Sequence, residues 1–116
     1  MELLDLDIKL DTVGEDVVAW VRGELDIYTS PQLRDAMLEI LTGRSDPFTI
    51  TLDVSGIQFV DSTGLGVLVA VLKRMRFVGG DLVVRAPSPS LRKLLGLTGL
   101  DKVFTVEAGE AFELTT

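Results

Sequence analysis

Two adjacent hydroxyls, Ser62 and Thr63, stand directly after an acid, Asp61, and directly before an apolar run. Leu65, Leu68, Val69 and Leu72 recur at helical spacing through that run. Lys73, Arg74 and Arg76 follow near its end, where cations suit the helix dipole. The hydroxyls therefore open a helix, and Asp61 or Ser62 is its N-cap, a position that favours both residue types. Gly64 and Gly66 fall in the first two turns, where each costs roughly 1 kcal/mol of helix stability relative to alanine. Glycine there lets another backbone come close and leaves Ser62 uncovered.

What chemistry such a serine can do is narrowed by what the chain lacks. There is no histidine, so the usual base for a serine nucleophile is absent, and with it any Ser-His-Asp triad or histidine metal site. Asp-Ser-Thr-Gly is not the Gly-x-Ser-x-Gly elbow of hydrolases. Ser90-Leu91-Arg92-Lys93 fits Ser-x-x-Lys, but its lysine reads more simply as part of a solvated helix face. Asp53-Val54-Ser55-Gly56 and Asp61-Ser62-Thr63-Gly64 fit Asp-x-x-Gly without any phosphate-cradling Gly-x-x-x-x-Gly-Lys loop. These features point away from an enzyme, and no cofactor is implied.

The remaining use for an exposed serine at a helix mouth is to carry a phosphate. Free backbone N–H groups and the positive dipole end receive an anion well, so the fold should survive the modification. A docked partner would respond strongly. A doubly charged phosphate ~6 Å from one carboxylate, at an effective dielectric near 20, is opposed by roughly 5 kcal/mol. That matches the ~5.5 kcal/mol needed to swing a two-state balance from 1:99 to 99:1.

The chain of 116 residues is 47% hydrophobic, about one domain's worth, so residues 1–116 are read as a single domain. The longest apolar run, Gly64 to Leu72, is nine residues, against the ~20 of a membrane-spanning helix. The start, Met1-Glu2-Leu3-Leu4-Asp5, lacks a signal peptide's basic residues. Absence of cysteine removes disulfides and thiolate metal sites, and a cytoplasmic location is expected. The net charge of −7 argues against nucleic acid and against an anionic membrane surface as partners. Eight of the acids fall in residues 1–26, against Lys9 and Arg22 alone.

Around the Ser62 helix the periodicities set out the scaffold. Leu4, Leu6, Ile8 and Leu10 alternate with polar residues as a first strand. Val13-Gly14-Glu15-Asp16 turns into a second strand, Val17 to Gly23, forming a hairpin. Ser30 suits an N-cap and Pro31 the first helical position, before Leu33, Met37, Ile40 and Leu41; Gly43 ends that helix. Phe48, Ile50, Leu52 and Val54 mark a third strand that leads to Ser62. Gly79-Gly80 closes the Ser62 helix, and Leu82 to Arg85 is a fourth strand. Ser88-Pro89 opens a third helix stopped at Gly96 or Gly99, and Lys102 to Val106 is a last strand. Ala108 to Thr116 could form a final helix.

Successive strand-helix-strand units imply parallel pairing with right-handed crossovers. An α/β fold follows, with a mixed, mostly parallel sheet of about five strands. Two strands keep one polar face, so the helices gather mainly on the other. The carboxyl ends of parallel strands share one edge, where ligands and partners tend to meet the sheet. Three loops should converge there, 24–30, 57–63 and 87–90, bringing Asp26 beside Asp61 and Ser62.

Several of these segments together resemble the STAS domain of anti-sigma factor antagonists. Asp61-Ser62-Thr63-Gly64-Leu65-Gly66 is similar to that family's phosphoacceptor motif, and Gly23-Glu24-Leu25-Asp26 to its loop after the second strand. Gly79-Gly80-Asp81-Leu82 and Thr98-Gly99-Leu100-Asp101-Lys102-Val103-Phe104 also fit. The resemblance implies that an anti-sigma factor, itself an ATP-dependent serine kinase, phosphorylates Ser62, with Thr63 as the alternative acceptor. A PP2C-type phosphatase would restore the serine, and only the unmodified form would capture the anti-sigma factor and free the sigma factor. Asp26 and Asp61 would contact the partner, and Thr63, Gly64, Leu65 and Gly66 would line the docking surface. STAS domains also act as constitutive scaffolds in transporters and signalling assemblies, where Ser62 would only cap its helix.

Overall fold

The computed structural model describes residues 6–44 and 46–109. Strands β1 (Asp7–Val13) and β2 (Asp16–Leu25) form an antiparallel hairpin turning at Gly14-Glu15. Helix α1 (Ser30–Leu41) crosses to β3 (Thr49–Val60), and α2 (Ser62–Phe77) crosses to β4 (Asp81–Arg85). Helix α3 (Pro89–Thr98) and a 3-10 turn (Leu100–Lys102) lead to β5 (Thr105–Glu107). The strands lie in chain order, β1-β2-β3-β4-β5, and every pair after the hairpin is parallel.

Alternation decides the layers. Along β2, Val17, Ala19 and Val21 are buried while Trp20 and Arg22 are exposed; along β3, Ile50, Leu52 and Val54 are buried. Register joins Ala19, Leu52, Val84 and Val106 into one row across four strands. Leu33 and Met37 of α1, Leu68, Leu72 and Met75 of α2, and Leu91 and Leu95 of α3 share a single core with that face. The expected two-layer arrangement, helices on one side of a mixed five-stranded sheet, is what forms. The next row, Lys9, Trp20, Asp53, Arg85 and Glu107, lies on the opposite face.

On that opposite face Asp53 is nearly buried. Arg85 donates from Nε to Asp53 Oδ2 at 2.9 Å, and Ser55 donates its amide and hydroxyl to Oδ1 at 3.0 and 2.7 Å. Burial pushes the carboxyl's pKa up, but the Ser55 donors and the Arg85 guanidinium outweigh it and hold it below the usual aspartate value.

Several boundaries differ from the sequence expectation. The first strand runs to Val13 rather than Leu10, and Leu4 lies outside the described residues. β3 continues through Ser55, Gly56 and Gln58 to Val60, where a loop from Ile57 was expected. It does so because β2 shifts register near Trp20 and again near Gly23, keeping Gly23 paired with Ile57 and Leu25 with Val60. Ser30 is already helical; Thr29 is the N-cap residue, its hydroxyl turned back to the preceding loop. Gly99, at φ 76, ends α3, whereas Gly96 is inside it. β5 begins at Thr105 because Leu100–Lys102 coil into the 3-10 turn. Ala108 and Gly109 are irregular, and the remainder of the expected final helix lies outside the described residues.

Candidate functional site

The last register pair of the central strands, Leu25 with Val60, delivers Asp26 and Asp61 side by side at the carboxyl edge. The bond from the Asp61 amide to the Leu25 carbonyl, 3.1 Å, ties the two strand ends together. Each acid then shapes its own loop.

Asp26 Oδ1 accepts from the amides of Tyr28 at 2.9 Å and Thr29 at 3.0 Å. The Thr29 hydroxyl donates to the Glu24 carbonyl at 2.6 Å and in turn accepts from the Asp26 amide at 3.0 Å. This closed set fixes the β2–α1 loop before any partner arrives. Its consequence is visible at the tip, where Ile27 and Tyr28 are 60% and 80% exposed. Phe59, in register with Glu24 on the neighbouring strand, is 52% exposed. These apolar side chains were not singled out in the sequence, because apolar type alone does not distinguish Ile27 from the buried Ile57.

Asp61 resolves the capping alternative. Its Oδ1 accepts from the Gly64 amide at 2.9 Å, making it the N-cap, and its backbone is extended. Ser62 and Thr63 are the first two residues of α2, and both are exposed. Neither hydroxyl makes a hydrogen bond among the described residues, and their amides are among the donors that a helix N-terminus leaves without an internal acceptor. Among the described residues no side chain hydrogen-bonds the Ser62 hydroxyl, so none of them draws off its proton to activate it as a nucleophile.

The two glycines do different work. A Cβ on Gly64 would lie 2.6 Å from both the carbonyl oxygen and Cγ of Leu25, so only glycine lets α2 start this close to β2. A Cβ on Gly66 would meet nothing within 4 Å. The expected close approach therefore belongs to Gly64 alone, and Gly66 faces open surface. Gly64 and Leu65 are buried; they support the surface that Ser62, Thr63 and Gly66 present. The third expected loop lies against the end of β3 and does not reach Asp26, Asp61 or Ser62 in the cavity it lines. Ser88, Ser90, Leu91 and Leu94 at the start of α3 and Ile57–Val60 of β3 enclose a cavity of about 290 Å³.

A family model described as Mlab, STAS domain matches residues 8–107. The chain belongs to the STAS domain family. The domain is similar, at 31% identity over 97% of its length and 95% of the relative's, to the anti-sigma F factor antagonist of Paenibacillus polymyxa. The structure of an anti-sigma factor antagonist from Mycobacterium paratuberculosis matches with a TM-score of 0.79 at 30% identity, covering 95% of this STAS domain and 92% of that chain. The anti-sigma factor antagonist SpoIIAA in its unphosphorylated form matches with a TM-score of 0.75 at 25% identity, covering 93% of each chain. Among the described residues, no helix of this STAS domain is long and apolar enough to cross a membrane.

Proposed function

We propose that this STAS domain is an anti-sigma factor antagonist, a non-enzymatic cytoplasmic regulator formed by residues 1–116, whose grip on its partner is released by phosphorylation of Ser62. The unmodified form captures an anti-sigma factor that is also an ATP-dependent serine kinase, freeing the sigma factor. A PP2C-type phosphatase resets the serine.

One observation carries the reading: Asp61 caps α2, leaving the exposed Ser62 hydroxyl without a structural task. The amides of the first turn favour an added phosphate, so the helix tolerates it. The neighbouring Asp26 and Asp61 already give this edge negative charge, and a phosphate there opposes any acidic partner surface. Contact falls on Asp26, Asp61, Ser62, Thr63 and Gly66, with Gly64 and Leu65 beneath, while Ile27, Tyr28 and Phe59 supply the apolar anchors that charge alone does not.

The test is direct. Purified protein mixed with its cognate kinase and ATP should gain the mass of one phosphate, and Ser62→Ala should gain none. Labelling of Ser62→Ala would move the acceptor to Thr63. Failure of the wild type to gain phosphate would leave a constitutive scaffold as the function.

A further inference from the structure

At the opposite end of the helical layer from Ser62, α1 and α2 leave an open groove of about 790 Å³ between them. Leu38, Leu41 and Val71 line it with apolar surface, and Phe77 stands beside it 89% exposed. A phenylalanine this bare on a helix is a large apolar side chain that none of the described residues covers. Among the described residues the charged side chains lining the groove are Arg34, Lys73 and Arg74, and no carboxylate joins them. Arg34 pairs loosely with Asp35 at 3.6 Å, both exposed, whereas Lys73 and Arg74 make no ion pair among the described residues. On a chain with a net charge of −7, this is a local reversal of sign.

We propose that this groove docks an acidic amphipathic helix of another protein, apolar face down between α1 and α2 and carboxylates against Arg34, Lys73 and Arg74. A channel between two adjacent helices takes a third helix by interdigitation of side chains. The cationic rim selects glutamate-rich helices and rejects lysine-rich ones. Other occupants fit less well. A flat anionic bilayer would meet a concave site on a protein whose overall charge repels it. A second copy would bring acids concentrated in its first 26 residues, where the described part is the β1–β2 hairpin rather than a helix. Along α2 the groove lining begins at Ala70, eight positions from Ser62 and about 12 Å of helix rise, and reaches Phe77, fifteen positions and about 22 Å away. The groove lining shares no residue with the Ser62 edge, so in this proposal the groove binds its helix whatever the state of Ser62.

The probe is a synthetic helical peptide of about sixteen residues, with leucines at every third or fourth position flanked by glutamates, alongside a twin carrying lysines instead. Each is titrated into the isotope-labelled full chain by NMR. The acidic peptide should bind at least about tenfold tighter, weaken with added salt, and shift the amides of Leu38, Ala70 and Phe77. Arg34→Glu combined with Arg74→Glu should invert the preference, Phe77→Ser should weaken both peptides, and Ser62→Asp should change neither. Equal affinities, no binding by either peptide, or shifts centred elsewhere would overturn the proposal. So would self-association abolished by Phe77→Ser, which assigns the groove to a second copy, or binding confined to phosphatidylglycerol vesicles, which assigns it to a membrane.

Discussion

Gly64 is pressed so closely on Leu25 that a single methyl in place of its hydrogen would lie 2.6 Å from the Leu25 carbonyl oxygen, while the same methyl two residues later at Gly66 would touch nothing. The two substitutions should therefore have opposite signs. Gly64→Ala forces α2 away from β2 and should cost about 1–3 kcal/mol, as overpacking does. Gly66→Ala should stabilise the fold by up to about 1 kcal/mol through helix propensity. Urea denaturation of both variants measures this, and equal destabilisation would contradict the geometry. Gly66→Ala should nonetheless weaken partner binding, because its methyl would project from the proposed docking surface.

Ser62→Asp places a permanent charge at the first position of α2. Because acids are favourable there by about 0.3–1 kcal/mol, the thermal midpoint should stay within a few degrees of wild type or rise. Anti-sigma factor capture should fall, read by titration calorimetry. Aspartate carries less charge than a phosphate, so the loss should be smaller than for the phosphorylated protein.

Tyr28 is held out by a loop whose hydrogen bonds do not involve its ring. Tyr28→Ala should leave stability within about 0.5 kcal/mol yet weaken partner binding by about 2 kcal/mol if the ring is an interface anchor. Unchanged affinity would confine the interface to the α2 side of the edge.

The Asp53–Arg85 pair predicts an acid limb in stability. A carboxyl whose pKa is lowered on folding stabilises the protein above its unfolded value, and that contribution is lost as pH falls through the lower, folded value. Stability should hold above the ordinary aspartate value of about 3.9 and decline below it. Asp53→Asn should flatten that decline, while Arg85→Met should cost about 2–3 kcal/mol near neutrality by removing a charged hydrogen bond from a nearly buried acid. Denaturant midpoints taken between mild and strong acid would show both.

Much of this molecule can be read from residue spacing because each signal is local. Ile50, Leu52 and Val54 alternate with Thr49, Thr51 and Asp53, and Leu65, Leu68 and Leu72 fall on one helix stripe, so element type and the buried face follow from period alone. The path of β3 beyond Val54 does not. Ser55-Gly56 carries the residue types of a loop, yet the strand continues through it, with Gly56 set so close to its partner Arg22 that a Cβ would meet the arginine side chain at 2.6 Å. That contact is tertiary and leaves no local trace. Ser30 before Pro31 likewise has the residue type of an N-cap, but Asp26 organises the loop around Thr29. Asp61, Ser62 and Thr63 were legible as a helix mouth. Ile27, Tyr28, Phe59 and the groove beside Phe77 were not, because composition does not say which apolar residues the fold leaves uncovered.

The strand order repeats the order of the chain, so no strand has to be inserted between two that are already joined. As the polypeptide leaves the ribosome, the hairpin can form first and each later strand can add to an edge that is still open. The growing sheet would meet its Ser62 edge half built, with Leu25 waiting for Val60, before α3 has been synthesised.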